Sequence, residues 1–103
     1  MIKTDYQKDE KVYYLSPYFF KNICTVEGLL KPYNLKEYIR KEIKWGKVSN
    51  PQKIYNSIEI YDYSDHEWVD FFCIAKEEEA LVEQVYTNII TFFKNIIGDN
   101  SND

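Results

Sequence analysis

The fold class follows from residues 54–75, which read IYNSIEIYDYSDHEWVDFFCIA. Apolar and polar residues alternate over 54–63, with Ile54, Ile58 and Ile60 on one side. This period of two residues is that of a half-buried β-strand. A polar turn then leads into a second apolar run, so the stretch predicts an antiparallel β-hairpin.

The second strand of this hairpin, residues 67–75, is apolar on both faces. One face would carry Val69, Phe71, Cys73 and Ala75, and the other Trp68, Phe72 and Ile74. Strands with this pattern are usually covered on both sides. We therefore expect this strand to be central in the sheet.

Two helices are predicted outside the hairpin. Residues 35–45 place apolar side chains on one stripe, and Asn34 with Glu37 forms a capping-box-like start. Gly46 follows where a helix commonly ends. A long C-terminal helix is predicted over 77–97, because the glutamates at its start suit the positive end of a helix dipole.

Two shorter elements complete the predicted architecture. Residues 11–15 are β-branched and aromatic and form a candidate third strand. Residues 17–27 form a candidate helix after a Ser16-Pro17 start, although Tyr18-Phe19-Phe20 fits a strand equally. The sequence thus predicts an α+β fold, in which a small antiparallel β-sheet packs with two to three helices.

The chain has the length of one domain. Its 103 residues suffice for one hydrophobic core. Ten Tyr, six Phe and two Trp supply much of the core material, because aromatic side chains bury large areas each. Residues 1–10 and 98–103 are polar, and we expect loose termini there, or an edge of the sheet in the case of 1–10.

The two halves of the chain carry opposite charge. Residues 1–50 hold ten Lys/Arg against six Asp/Glu, a sum of +4. Residues 51–103 hold three against eleven, a sum of −8, which leaves the net charge of −4. Such a skew either pairs within the fold or presents an acidic face to a basic partner.

The basic charges collect on the predicted helix 35–45, where Lys36, Arg40 and Lys44 lie four residues apart. A stripe of this kind can grip phosphate, but it is more often a solvated helix face. A net charge of −4 repels nucleic acid overall. We therefore expect no direct nucleic-acid binding.

The acidic charges lie beside tyrosines, on the hairpin and at the start of the last helix. Tyrosine is frequent in protein interfaces because it offers area, rigidity and a hydroxyl group. In the plainer interpretation, the chain itself covers this face. The candidate partner-binding residues are Tyr55, Glu59, Tyr61, Asp62, Tyr63, Asp65, Glu67, Glu78 and Glu79.

The last helix is apolar over about 180° of its circumference, whereas one neighbour needs a stripe of only about 100°. It is therefore either wedged between the sheet and another helix, or partly turned towards another molecule. In the second case the candidate homodimer interface consists of Val82, Tyr86, Ile90, Phe93 and Ile97.

No motif for catalysis, cofactor or metal binding stands out. His66 lies among carboxylates, but it lacks the second histidine of a zincin motif, and a solvated turn is the more frequent arrangement. Cys24 and Cys73 are too few for a disulfide framework, and both are typical of core packing. We expect a protein that is not an enzyme and holds no cofactor or metal ion.

The location of the protein is predicted from what the sequence lacks. There is no apolar signal region at the N-terminus and no apolar run long enough for a membrane span. We therefore expect a cytoplasmic protein with reduced thiols and no membrane contact. Twelve Lys, one Arg and abundant Ile, Asn and Tyr are typical of AT-rich coding sequence, which favours a low-GC bacterium, its phages or its plasmids.

The sequence favours a non-enzymatic protein-binding inhibitor or adaptor whose acidic, Tyr-rich face contacts a basic partner, one that itself handles nucleic acid. In composition it is similar to small binding inhibitors such as immunity proteins, antitoxins and phage proteins that block host defences. One alternative is a self-associating structural or regulatory protein with the C-terminal helix as its dimer interface. The other is a small-ligand or nucleotide-binding module with aromatic walls from Trp45, Trp68 and the tyrosines.

Overall fold

The structure is a computed structural model and describes residues 2–16, 18–19, 32–62 and 65–93. The candidate helix 17–27, apart from residues 18–19, and the tail 98–103 lie outside these residues. The strands are β1 (Ile2–Lys3), β2 (Lys11–Tyr14), β3 (Lys44–Ile54), β4 (Ser57–Asp62), β5 (Asp65–Asp70) and β6 (Ile74–Ala75). The helices are α1 (Pro32–Glu42) and α2 (Glu78–Phe93), and a 3-10 turn, Phe71–Cys73, connects β5 to β6.

The predicted α+β fold is confirmed. The sheet is antiparallel in every pairing and has the strand order β5-β4-β3-β2-β6, with β1 paired to β3. The predicted third strand is β2, and the predicted hairpin is β4–β5. Helix α2 packs on α1, on the 3-10 turn and on β2 and β6, so the helices are close to one end of the strand order.

Alternate strand residues are buried and define the inner face of the sheet. Val12, Val48, Ile58, Ile60 and Val69 lie on this face and are almost completely buried. They form one core cluster with apolar residues of the two helices. The helix residues in that cluster are Leu35 and Ile39 of α1 and Leu81, Val82, Val85 and Ile89 of α2.

The N-terminal segment follows β3 along most of its length. Lys3 pairs with Gln52, and Lys11 pairs with Lys47. Between these two pairs the N-terminal segment advances eight residues while β3 advances five, so the segment bulges there. Backbone hydrogen bonds to β3 continue through the intervening bulge, at Thr4, Asp9 and Glu10. This segment therefore belongs to the sheet from β1 onward.

The predicted helix 35–45 is displaced: α1 spans Pro32–Glu42. Proline suits the first position of a helix because its φ is already helical and its missing N–H has no partner to lose there. At the other end, Lys44 and the residues after it pair with β2 instead of continuing the helix. The helical spacing of apolar residues was therefore outweighed by strand pairing.

Gly46 lies within β3 and does not end a helix, contrary to the prediction. A Cβ atom at this position would lie 2.8 Å from Ile60 Cγ2 and 2.8 Å from the carbonyl oxygen of Tyr61. Real Cβ atoms do not approach other heavy atoms so closely. The glycine is explained by the close approach of β4 to β3.

Ser49-Asn50-Pro51, whose residue types favour a turn, forms an irregular part of β3. The register of β3 against β4 shifts between Val48 and Asn50 and again between Asn50 and Ile54. Proline lacks the N–H that a regular ladder requires, and it is tolerated at bulges of this kind. The turn-forming residues thus mark a bulged strand.

The alternation over 54–63 spans two strands, because Tyr55 and Asn56 form a two-residue turn between β3 and β4. Ile58 and Ile60 are buried as predicted, but Ile54 is 39% exposed. The prediction that Ile54 shares their side of the sheet was therefore wrong. The turn at Tyr55 and Asn56 breaks the alternation, so Ile54 does not lie on the same side of the sheet as Ile58 and Ile60.

The prediction that 67–75 is one central strand was also wrong. The chain leaves β5, which is an edge strand, at Asp70, passes through the 3-10 turn, and pairs as β6 with β2 at the opposite edge. Phe71 and Phe72 are half-buried in that turn, and Cys73 is buried. The long apolar run therefore marks a crossing between edges.

The turn at Tyr55 provides a test of the β3–β4 connection. Tyr55 has φ = 56°, a conformation that costs a residue with a Cβ atom about 1–2 kcal/mol. We expect Tyr55→Gly to raise the free energy of unfolding in urea, because glycine adopts a positive φ without this cost. The gain is limited to about 1 kcal/mol, since glycine loses more chain entropy on folding. The matched control, Asn56→Gly, should lower the free energy of unfolding, since φ is not positive at Asn56. Destabilisation by Tyr55→Gly as large as that by Asn56→Gly would contradict this turn geometry.

Candidate functional site

The outer face of the sheet, opposite the core, carries a group of exposed and half-buried rings. Strand register places Tyr13 opposite Trp45 and Tyr61 opposite His66, and Trp68 lies two residues beyond His66 on β5. Trp45 is 49% exposed and Trp68 is 45% exposed. We call these five residues the outer aromatic face.

Lysines accompany the rings at the β2–β3 end of this face. Lys11 and Lys47 lie opposite one another and are exposed. The Nζ of Lys11 lies 4.8 Å from the centroid of the Trp45 ring and 5.4 Å from that of Tyr13. A cation at these distances is attracted by the ring electrons and helps to hold the two rings in place.

Tyr61 is fixed at the middle of the outer aromatic face. Its hydroxyl donates a hydrogen bond of 2.7 Å to Asp9 Oδ1, which raises the pKa of Tyr61. Its ring is stacked on that of His66, with a centroid distance of 5.7 Å and an interplanar angle of 25°. A ring held from two sides loses little conformational entropy on binding a partner.

His66, the histidine that lies among carboxylates in the sequence, contacts side chains of β3 and β4. Its Nδ1 lies 3.7 Å from Glu59 Oε2 and 3.4 Å from Ser49 Oγ. Among the described residues, no group of three or more His, Cys, Asp or Glu side chains is arranged to hold a metal ion.

The β4–β5 hairpin, residues 57–70, carries five carboxylates and no Lys or Arg. Glu59 is near His66, and Asp70 Oδ1 accepts a hydrogen bond of 2.8 Å from Ser57 Oγ. Within the described part of the chain, no ion pair engages Asp70 or the other three carboxylates, which are Asp62, Asp65 and Glu67. We call this element the acidic hairpin.

The carboxylates of the acidic hairpin that lack an ion pair among the described residues divide between the two faces of the sheet. Asp70 lies on the outer face, on the same side of β5 as Trp68. Asp62, Asp65 and Glu67 lie on the inner side, because Glu67 is opposite the buried Ile60 and Asp65 is opposite Asp62. Glu67 Oε2 is enclosed and has no hydrogen-bond partner among the described residues. An enclosed carboxylate oxygen without a donor costs free energy, about 1–3 kcal/mol or more. A partner that supplied a donor would recover part of that cost.

The predicted basic stripe is largely neutralised within the chain. Lys36 Nζ donates to Glu83 Oε1 at 2.8 Å, and Arg40 Nε donates to Glu79 Oε2 at 3.0 Å. The hydrogen bond from Arg40 is the main reason why the pKa of Glu79 is lowered. Lys44 belongs to β3 instead of this helix. The stripe therefore joins α1 to α2, and it takes Glu79 away from a partner.

The predicted site residues are thus only partly brought together. Glu59 and Tyr61 share the outer face, while Asp62, Asp65 and Glu67 lie on the inner side. Tyr55 is 92% exposed at the turn between β3 and β4. Glu78 is exposed in the first turn of α2, and Tyr63 lies outside the described residues.

The predicted dimer residues on α2 largely face the chain itself. Val82 is fully buried in the core. Tyr86 is half-buried, with Lys36 Nζ 4.8 Å from its ring centroid, and Ile90 packs against the core. The side chains of Phe93 and Ile97 lie outside the described part. The wide apolar arc therefore contacts both the sheet and α1 over the residues that the structure describes.

Two cavities open on the surface near these elements. One, of 220 Å³, lies beside the outer aromatic face and is lined by Trp45, Gly46, Lys47, Tyr61 and Asp62. The other, of 480 Å³, lies between the N-terminal segment and α2. Lys53 and Lys76 line the second cavity and lie over the rings of Phe71 and Tyr6, at 5.2 and 5.3 Å.

The sequence grouped Trp45 and Trp68 with the tyrosines only as walls of a ligand pocket. It did not place them on one face of the sheet, because Trp45 was expected on a helix and Trp68 on a central strand. The signal that could have revealed it is the alternation Lys11, Tyr13 on β2 and Trp45, Lys47 on β3. That signal is interpretable only once β3 is recognised as a strand.

No protein-family model, curated protein or solved structure matches this chain. No helix among the described residues is long and apolar enough to cross a membrane.

Tyr14 reports on the inner carboxylates of the acidic hairpin. Burial, followed by the charges of Glu67, Asp62 and Asp65, raises the pKa of Tyr14 to about 12 from 10.0. The neutral phenol therefore stabilises the fold fully below about pH 10, and this contribution is lost as the pH rises towards 12. We expect the free energy of unfolding to fall over this range, and Tyr14→Phe to reduce the fall.

The measurement is urea unfolding at a series of alkaline pH values, together with ultraviolet titration of tyrosine ionisation. Glu67→Gln should lower the pKa of Tyr14, because it removes one of the charges that oppose ionisation. Identical pH dependence of stability in wild type and Tyr14→Phe would contradict the placement of Tyr14.

Proposed function

We propose that this chain is a non-enzymatic protein-binding module, an inhibitor or adaptor that contacts a basic protein through the acidic hairpin and the adjoining part of the outer aromatic face. The observation that carries the proposal is that the hairpin concentrates carboxylates without an ion pair among the described residues and also carries the exposed Trp68 ring on its outer face. Aromatic anchors provide most of the binding energy in protein interfaces, and charges at the rim provide orientation and speed of association.

The distribution of ion pairs supports the choice of the acidic hairpin. Lys36 and Arg40 bind carboxylates of α2 at 2.8 and 3.0 Å, so these opposite charges serve the fold. The hairpin has no Lys or Arg of its own. Its charge is therefore available to attract a positively charged surface, in the manner of inhibitors that occupy a phosphate-binding site.

The aromatic residues support a protein rather than a nucleic acid as the partner. Trp68 lies opposite Glu59, and Asp70 lies on the same side of β5. Stacking platforms for single-stranded nucleic acid lie in positively charged grooves. Carboxylates beside Trp68 would repel phosphates and would attract Lys or Arg side chains. Among inhibitors, the immunity, antitoxin and phage anti-defence types fit such a surface.

A comparison of two charge-reversal variants tests the proposal. The hairpin variant carries Asp65→Lys and Asp70→Lys, and the matched control carries Glu42→Lys and Glu77→Lys at exposed positions outside the hairpin. Wild type and both variants are immobilised and exposed to lysate from a low-GC bacterium, and the retained proteins are quantified by mass spectrometry. We expect a basic protein to be retained by wild type and the control and lost from the hairpin variant.

Circular dichroism confirms that each variant is folded before the comparison. Retention of the same proteins by all three forms would contradict a role for the hairpin. Equal loss from the hairpin variant and the control would show that only the total charge matters, which also contradicts the proposed site.

A further inference from the structure

We propose that the open edge of β5 binds an extended, basic segment of the partner by β-strand addition; this mode of binding rests on the proposed function. Strand addition gives affinity through main-chain hydrogen bonds and specificity through alternate side chains. The proposal therefore specifies which atoms of the acidic hairpin are recognised and what chain conformation the partner adopts.

The backbone register of the hairpin determines which groups are open. Phe71 N donates to the carbonyl oxygen of Asn56 at 2.8 Å, so these two residues form a hydrogen-bonded pair. Hydrogen-bonded and non-hydrogen-bonded pairs alternate along an antiparallel ladder. The N–H and C=O groups of His66, Trp68 and Asp70 therefore point away from β4.

No described residue outside β4 hydrogen-bonds to the backbone of β5. The opposite edge of the sheet is different, because β6 has only two residues before the chain turns into α2. Proteins usually protect long edge strands with proline, lysine or a bulge. β5 has six residues, pairs regularly with β4, and contains neither proline nor lysine.

The side chains of β5 select the charge of the added strand. Asp65, Glu67 and Asp70 are acidic, and the only basic group of the strand is His66. Like charges placed directly opposite one another destabilise a strand pair, and opposite charges stabilise it. An acidic strand is therefore rejected, and a strand with Lys or Arg residues is accepted.

The alternation of faces predicts where those basic residues lie. Partner residues that hydrogen-bond to His66, Trp68 and Asp70 place their side chains on the outer face, against the exposed Trp68 ring. The intervening residues of the partner place theirs on the inner side, next to Asp65 and Glu67. We therefore expect a segment with an apolar residue at every second position and Lys or Arg in between.

A second copy of this chain is the competing occupant. A self-pairing centred on Trp68 would place His66 opposite Asp70, which is favourable when the imidazole is protonated. However, each hairpin brings five carboxylates and no Lys or Arg, so two hairpins repel at neutral pH. The charge balance therefore favours a basic partner.

The experiment is a titration of the 15N-labelled full chain with synthetic peptides of alternating lysine and valine, followed by NMR. One peptide is unmodified, a second is N-methylated at the valines, and a third is N-methylated at the lysines. The valine amides are those that would face β5. We expect the unmodified and lysine-methylated peptides to bind and to shift the amide signals of His66, Trp68 and Asp70. Methylation of the valines should weaken binding at least about tenfold, because several main-chain hydrogen bonds are lost.

The controls separate this proposal from the proposed function. A glutamate–valine peptide should not bind. Equal binding of all three lysine peptides would overturn strand addition while a basic contact remained. Strand addition is also overturned if no lysine peptide binds although wild type retains a basic protein from the lysate and the hairpin variant does not. If no peptide binds and the hairpin variant also retains every captured protein, both proposals fail. Sedimentation that shows a dimer, with its contact shifts on β5, would assign the edge to a second copy and overturn the proposal.

Discussion

The connection between Asp70 and Ile74 is too short to join the two edges of a flat sheet. Three residues of 3-10 turn lead from β5 at one end of the strand order to β6 at the other. A flat sheet of five strands would hold its outer strands about 19 Å apart, whereas four residue steps span at most about 14 Å. The sheet must therefore curl. The curl gathers Val12, Val48, Ile60 and their neighbours on a concave inner face, where α2 packs, and it turns Trp45, Tyr61 and Trp68 towards the solvent.

The opposite charges of the two halves have separate uses in this arrangement. Lys36 and Arg40 join α1 to α2, so two of the ten positive charges of the first half hold the helices together. The carboxylates of the acidic hairpin have no comparable ion pairs among the described residues. Three of them are close enough to Tyr14 to raise its pKa, and one oxygen of Glu67 is enclosed with no donor in the part of the chain that the structure describes. The negative charge is therefore concentrated next to a strand edge that no described residue outside β4 covers, and the proposed basic segment would relieve the repulsion there.

The sequence predicted the fold class, the hairpin, the third strand and the two helices α1 and α2, because each has a local signature in periodicity or capping. It did not predict β3, because Lys44 and Trp45 continue a helical pattern locally and Gly46 suits its end. The competing partners, Lys11–Tyr14, lie far away in the chain. It misassigned β5 for a related reason: the apolar run 71–75 belongs to a crossing whose neighbours are set by the curl of the sheet. Glu59 and Tyr61 could be placed together from alternation alone. Their proximity to Trp45 and Lys47 requires the register of β3, which no local pattern supplies.

Amide hydrogen exchange of the isolated chain tests whether β5 is an open, acidic edge in the free protein. The N–H groups of Glu67 and Val69 face β4, whereas those of His66, Trp68 and Asp70 face away. Hydrogen-bonded amides exchange only when the structure opens, so we expect slow exchange at 67 and 69 and fast exchange at 66, 68 and 70. Protection at all five amides would mean that the edge is already covered and would contradict an open edge. An absence of protection throughout the strand would contradict the pairing of β5 with β4.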